Sequence, residues 1–267
     1  MNKISACLVV YNEEKLIARC LDSLKGVVDE IILVHDGQCQ DQTLEIARRY
    51  GAKIFVREHV GCSEEYRPFC YTQASNNWVL QIDADEFLSP ELRNNLKRLV
   101  SEPGVSAYEF LWPLWDGTKE ISVNWPYKIC LFRKNKISFL SIVHFVIEVD
   151  GKILRTNYKL NHRPSYNNFS FSSFVRKQLP WARLQASYYF KDFSQIQKFN
   201  YPGDDWPHVI KWRQKFPLLL IPLEFLSASF KSMLSGAWRA GLLGLKISLR
   251  VGIYRVFVNY SLYKLKK

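Results

Sequence analysis

Trp78-Val79-Leu80-Gln81-Ile82-Asp83-Ala84-Asp85-Glu86-Phe87-Leu88 is the stretch that decides how this chain folds. The run Trp78–Ile82 is apolar enough for a buried strand, and it stops abruptly at two carboxylates one residue apart. Side chains at i and i+2 of an extended segment share a face, so Asp83 and Asp85 reach one point just past the strand end. Two acids that close repel, and burying them uncompensated is costly. A hard divalent cation, Mg²⁺ or Mn²⁺, removes that cost and can in turn hold a diphosphate. A solvated acidic loop is the plainer alternative.

Working outward, strands and helices alternate. Ile4–Val10 is β-branched and apolar, and the spacing predicts a helix over Glu13–Leu24. Its neighbours Asn12-Glu13-Glu14 make Ile4–Val10 a first strand rather than a targeting segment. A second strand over Glu30–Val34 runs into His35-Asp36-Gly37, followed by a helix over Asp41–Tyr50 and a strand over Lys53–Val56. Helices are expected over Glu65–Ala74 and Pro90–Val100. Such alternation implies a mostly parallel sheet with helices on both faces, an α/β fold whose ligands sit outside the carboxyl ends of the strands. Tyr11, Asp36 and Asp83 all fall at such ends, which predicts one shared site.

From about Tyr108 the texture changes to short strand-like runs: Ala107–Trp112, Ile129–Phe132, Val143–Val149 and Ile153–Leu160. Turn residues at Asp116-Gly117 and Asp150-Gly151 separate some of them. This segment reads as an antiparallel or mixed addition to the sheet that carries the pocket for a second substrate.

Charge divides the 267 residues unevenly. Residues 1–150 hold 17 Lys and Arg against 21 Asp and Glu; residues 151–267 hold 20 against 4. A half that basic suggests a polyanionic neighbour, nucleic acid or an anionic membrane surface. The six cysteines are scattered and none forms a Cys-x-x-Cys pair, which argues against a thiolate zinc site and a disulfide framework. From about Phe169 the chain is helical, aromatic and basic. Phe216–Phe225 reads as apolar but broken by two prolines, and no run of 18 uncharged apolar residues marks a membrane-crossing helix. On one continuous helix Arg239, Lys246 and Arg250 would fall within roughly 40° of one another, a basic stripe beside an apolar face. A solvated face on a packed helical pair is the alternative. No nucleic-acid motif accompanies the aromatics, so nucleic acid is not expected as a partner.

Three motifs together resemble glycosyltransferase family 2. They are Val10-Tyr11-Asn12-Glu13-Glu14 at the first strand end, Val34-His35-Asp36-Gly37 with Asp41 and Thr43 at the second, and Asp83-Ala84-Asp85-Glu86. Leu131-Phe132-Arg133, Val143-His144 and Asn161-His162 further resemble the branch that includes lipopolysaccharide-core glucosyltransferases. The resemblance is specific over residues 1–100, moderate to about 166 and loose beyond. It implies a GT-A-like (Rossmann-like) catalytic domain over residues 1–166, with a nucleotide half (1–100) and an acceptor half (101–166). Residues 167–267 would form a C-terminal amphipathic helical extension.

By resemblance, Val10, Tyr11, Glu13, Asp36, Arg67 and Asp83 would contact the nucleotide sugar. Asp83 and Asp85 would hold Mg²⁺ or Mn²⁺, with His162 as a further ligand and His144 as a metal or phosphate contact. An inverting transferase also needs a base for the acceptor hydroxyl. The related branch usually has Glu after its Val-His pair; here Phe145 stands there, and Glu148 is the nearest candidate. The implied activity is sugar transfer from a nucleotide-sugar donor to a lipid-linked or glycolipid acceptor. It implies a cytoplasmic protein, peripheral on the inner face of the cell membrane. Two other readings stay open. One is a non-catalytic nucleotide-sugar or lipid-binding protein. The other is a haloacid-dehalogenase-like phosphatase, which would normally have Thr or Val where Phe87 stands.

Overall fold

In the computed structural model, which describes residues 2–122 and 124–267, the first hundred residues alternate as the pattern predicts. They form β1 (Ile4–Val10), α1 (Ile17–Leu24), β2 (Glu30–Asp36), α2 (Thr43–Arg49), β3 (Lys53–Arg57), α3 (Ser63–Gln73), β4 (Trp78–Gln81), β5 (Glu86–Leu88) and α4 (Pro90–Leu99). The inner strands are apolar on both faces because both are covered. Ile4, Ala6, Leu8 and Val10 of β1 pack with α1 and α4, whereas Cys7 points the other way, with Ile32, Val34 and Val79, onto Cys70 and Tyr71 of α3. The prediction placed α1 four residues too early: Glu13 to Leu16 form a turn, not helix.

β6 (Val105–Leu111), β7 (Tyr127–Arg133), β8 (Ile137–Leu140), β9 (Glu148–Val149) and β10 (Lys152–His162) follow. The main sheet has the order β3-β2-β1-β4-β7-β6-β10-β5. β3, β2, β1 and β4 are parallel, β7 runs antiparallel between β4 and β6, and β5 pairs antiparallel with β10. This is the α/β sheet with helices on both faces, extended by a mixed addition. One expected strand is mostly absent. Of Val143–Val149 only Glu148–Val149 is strand, and His144 adopts a left-handed φ of +59°. Val143, Phe145 and Ile147 alternate as in a strand, but they pack on different clusters instead of one sheet face.

The remaining residues form α5 (Phe171–Ser173), which runs through a π turn into α6 (Leu179–Phe190), then β11 (Lys198–Phe199), α7 (His208–Lys215), α8 (Pro217–Leu234) and α9 (Gly241–Lys266). β11 pairs with β8, and Ala182 and Ala186 of α6 share a core with Tyr254, Val258 and Leu262 of α9 and with Leu140 and Ile142. The C-terminal helices are therefore packed onto the sheet-bearing part of the chain.

Two expectations about it fail. The prolines do not break Phe216–Phe225: Pro217 opens α8 at its first turn, where no amide hydrogen is needed, and Pro222 sacrifices a single bond inside it. The 18-residue helix is long and apolar enough to cross a membrane by length and composition, with only 6% of it buried. Nor do Arg239, Lys246 and Arg250 share a helix face. Arg239 lies on a 3₁₀ turn (Ala237–Ala240) before α9 begins.

α8 and α9 form an antiparallel hairpin pinned by Ser232–Ser248 (3.0 Å) and Glu224–Asn259 (3.1 Å). Close approach needs glycine. A Cβ on Gly252 would lie 2.2 Å from Ser229 Oγ and 2.8 Å from the Phe225 carbonyl oxygen. The outer face of the hairpin is apolar and exposed, with Leu219, Leu223, Leu226, Phe230 and Leu234 in one helical stripe of α8 and Leu242, Leu245 and Leu249 on α9.

Candidate active site

The carboxyl ends of β1, β2 and β4 open onto a cleft of about 990 Å³. Residue order at those ends sets its floor. β1 ends at Val10, and the following loop is tied to the start of α2: the Glu13 amide donates to Thr43 Oγ1 (2.6 Å) and the Glu14 amide to Asp41 Oδ2 (3.1 Å). Asp41 and Thr43 thus hold the loop that carries Tyr11. The Tyr11 ring, 40% exposed, lies over His59 with centroids 4.4 Å apart.

Asp36, at the end of β2, is buried, and both its oxygens accept backbone amides from the loop after β3: Val60 at 2.7 Å and Gly61 at 2.9 Å. Gly37 has φ +97°, and a Cβ there would meet His59 Cβ at 2.9 Å, so glycine makes room for the ring beneath Tyr11.

The acidic turn after β4 is locked by Glu86, whose side chain is fully buried. The Asp83 amide donates to Glu86 Oε2 (2.9 Å) and the Glu86 amide to the Asp83 carbonyl (3.0 Å). Lys128, from β7, donates to Glu86 Oε1 (2.6 Å) and Asp83 Oδ2 (2.9 Å), and Trp112 Nε1 also donates to Glu86 Oε1. Arg67 Nη2 reaches Asp83 Oδ1 at 3.3 Å. Both oxygens of Asp83 are thereby held by protein cations. Asp85 faces His162 instead, Oδ2 to Nε2 at 3.2 Å, because β5 and β10 pair with Glu86 opposite His162. The His162 ring stacks on Trp112 at 4.0 Å.

These neighbours set the charges. Burial would raise the Asp83 carboxyl, but Lys128 and Arg67 outweigh it and hold it well below the usual carboxylate range. Glu86 goes up, through burial first, with the charges of Asp83 and Asp85 adding, despite Lys128. Burial, with Asp85 beside it, pushes Glu13 up to about 7.

The structure brings Val10, Tyr11, Glu13, Asp36, Arg67, Asp83, Asp85 and His162 to one cleft. It excludes Glu148 as the base. That residue is exposed in β9, accepts a hydrogen bond from Ser138 (3.1 Å), and does not line the cleft. A bulge that would swing it round to position 145 is absent, since Ser138 pairs with Glu148 in regular register. Phe145 and His144 do line the cleft. Lys128, Trp112 and His59 went unread because their partners lie far away in sequence. The part of the lining supplied by the C-terminal helices was also missed. It comprises Trp181, Arg250, Tyr254 and Arg255. Arg250, placed by the pattern on a basic stripe beside an apolar face, donates to the Ser170 carbonyl at 2.9 Å.

Residues 5–146 match the family described as glycosyl transferase family 2. An uncharacterized glycosyltransferase of Rickettsia typhi is 31% identical over 216 residues, covering 75% of this chain and 72% of its own. The lipopolysaccharide core biosynthesis glycosyltransferase LpsC of Rhizobium meliloti is 24% identical over 275 residues, covering 98% and 92%. Among solved structures, glucosyl-3-phosphoglycerate synthase from Mycobacterium tuberculosis in complex with Mn²⁺, UDP-glucose and phosphoglyceric acid is similar with a TM-score of 0.36 and 26% identity, over 42% of this chain and 44% of that one.

Proposed function

This chain belongs to glycosyl transferase family 2, and from that premise we propose that it is a metal-dependent, inverting glycosyltransferase acting on a lipid-linked or lipopolysaccharide-type acceptor at the cytoplasmic face of a membrane. The observation that carries the reading is the convergence of Tyr11, Asp36, Asp83 and Asp85 on one cleft at the carboxyl edge of the parallel strands. Tyr11 over His59 offers a platform for the base, and Asp36 fixes the loop beside it. Arg67 and Lys128 keep Asp83 ionised, so that it can accept from a ribose hydroxyl.

A divalent cation fits the residues present. Asp85 and His162 supply an oxygen and a nitrogen 3.2 Å apart, which suits Mg²⁺ or Mn²⁺ held mainly by diphosphate and water. Among the described residues no three His, Cys, Asp or Glu side chains are arranged to hold a metal ion by themselves, so the remaining ligands would come from the donor. Bound there, the cation offsets charge developing on the departing nucleotide diphosphate.

The exposed apolar stripe of α8, next to a half of the chain with 20 Lys and Arg against 4 Asp and Glu, supports seating in an anionic membrane interface. Glu224 of α8, paired with Arg213, favours lying in the surface over crossing it.

The test is release of nucleoside diphosphate from a panel of nucleotide sugars with Mn²⁺ or Mg²⁺. Asp85→Asn should reduce it at least a hundredfold; full activity in that variant would refute the metal role of Asp85.

A further inference from the structure

We infer that the cleft wall built by the C-terminal helices is an oxyanion subsite for the acceptor, taking a phosphate or carboxylate carried on a sugar, with Arg255 as its principal ligand. This rests on the transferase reading above and names the chemistry of its second substrate. Arg255 lines the cleft from α9, and its Nη1 is buried without any hydrogen-bond partner. A buried charged donor left unpaired bears its whole desolvation cost, which a bound oxyanion would relieve.

The neighbouring groups do not supply that anion. Glu64 is the near carboxylate, but it accepts the His144 amide (3.3 Å) and the Cys62 thiol (3.2 Å). Burial would raise it; Arg67 keeps it ionised all the same. The Tyr254 hydroxyl is engaged by Gln185 at 3.1 Å. Arg250 adds a second guanidinium to the same wall, and among the described residues neither arginine forms an ion pair. Trp181, 38% exposed and edge-on to His144 at 5.5 Å, presents an aromatic face at the mouth, suited to the apolar side of a sugar ring.

Assignment to the acceptor follows from position. The groups assigned above to the donor come from the ends of β1, β2 and β4, where Arg67 lies against Asp83 and would face the diphosphate. Arg250, Arg255 and Trp181 line the same cleft from other elements, α6 and α9.

The full-length protein is titrated by calorimetry with methyl glucoside 6-phosphate, methyl glucuronoside and neutral methyl glucoside, and separately with a panel of nucleoside diphosphates plus Mn²⁺. At least one charged glycoside should bind tenfold or more tighter than the neutral one, and the stronger of the two identifies the anion as phosphate or carboxylate. Arg255→Gln should remove that preference, and Arg255→Lys should retain part of it. Nucleoside diphosphate affinity should change less than twofold in either variant, with unchanged circular dichroism and melting showing that both fold. Equal binding of charged and neutral glycosides, or a preference that survives Arg255→Gln, overturns the inference. So does a selective loss of nucleoside diphosphate affinity, which would move Arg255 to the donor. Failure of the wild type to bind any nucleoside diphosphate would instead sink the transferase reading and leave the glycoside comparison to be judged alone.

Discussion

Lys128→Met should be among the most damaging single substitutions outside the hydrophobic core. Lys128 is the only side-chain cation within salt-bridge distance of Glu86 among the described residues, and Glu86 is fully buried while Lys128 is 20% exposed. Removing one partner of a buried pair costs about 3–5 kcal/mol, because the other charge is left without compensation. The lower end is expected here, since Glu86 can escape by taking a proton and Asp83 keeps Arg67. The loss therefore has a pH signature. Burial already raises the folded pKa of Glu86 above its ordinary value, and losing Lys128 raises it further. A raised carboxyl pKa favours folding below the unfolded pKa and loses that contribution as pH rises through the folded one. Urea titrations followed by tryptophan fluorescence should thus show a deficit of about 3 kcal/mol at pH 8 that shrinks toward pH 5. In a double-mutant cycle with Glu86→Gln, the pair should couple by about 2 kcal/mol. A deficit below about 1 kcal/mol at pH 8, or additive effects, would refute the claim that this lysine holds the acidic turn together.

Other perturbations read different parts of the molecule. Glu13, with a folded pKa near 7 against an ordinary value of 4.5, makes the wild type lose stability as pH rises from about 4.5 to 7; discounted for its exposure this is about 1–2 kcal/mol. Glu13→Gln should flatten that slope in thermal melts, and parallel slopes would disprove the assignment. Gly252→Val drives a side chain into Ser229 and the Phe225 carbonyl; about 2–3 kcal/mol should be lost, measured by chemical denaturation, and a neutral outcome would mean that α8 and α9 are not tightly apposed. Replacing Leu223, Leu226 and Phe230 together by Glu should abolish flotation with phosphatidylglycerol vesicles while leaving the melting temperature within a few degrees. Unchanged flotation would count against membrane seating by this face.

How much of this was legible depended on the range of the signal. β1, β2 and β4 could be read because strands covered on both faces need continuous apolar runs, and the polar residues that end those runs mark the cleft. Val143–Val149 misled because its alternation mimics a strand. Its apolar side chains are anchored to separate clusters, and the backbone at His144 turns into a left-handed conformation held by Glu64. The Glu86–Lys128 lock joins residues 42 positions apart, and nothing near either one announces the other. Pro217 of α8 carried the right rule at the wrong position, since proline is tolerated at a helix start, and Pro222, inside the helix, costs it one hydrogen bond without ending it. Arg250 was read as part of a basic stripe and Arg255 was not singled out; their direction is set by the packing of α9 on α6, which periodicity alone does not reveal.

On the proposed reading, the residues assigned to the nucleotide sugar come from the first part of the chain and the acceptor subsite from the last, so the two specificities would be written in separate stretches of the gene. Exchanging the terminal helices between relatives would redirect the enzyme toward a different recipient molecule while its choice of activated sugar stayed as it was. The same exchange would move the exposed apolar stripe of α8 together with the proposed acceptor subsite, so that, on this reading, where the enzyme docks and what it modifies would be inherited as one unit.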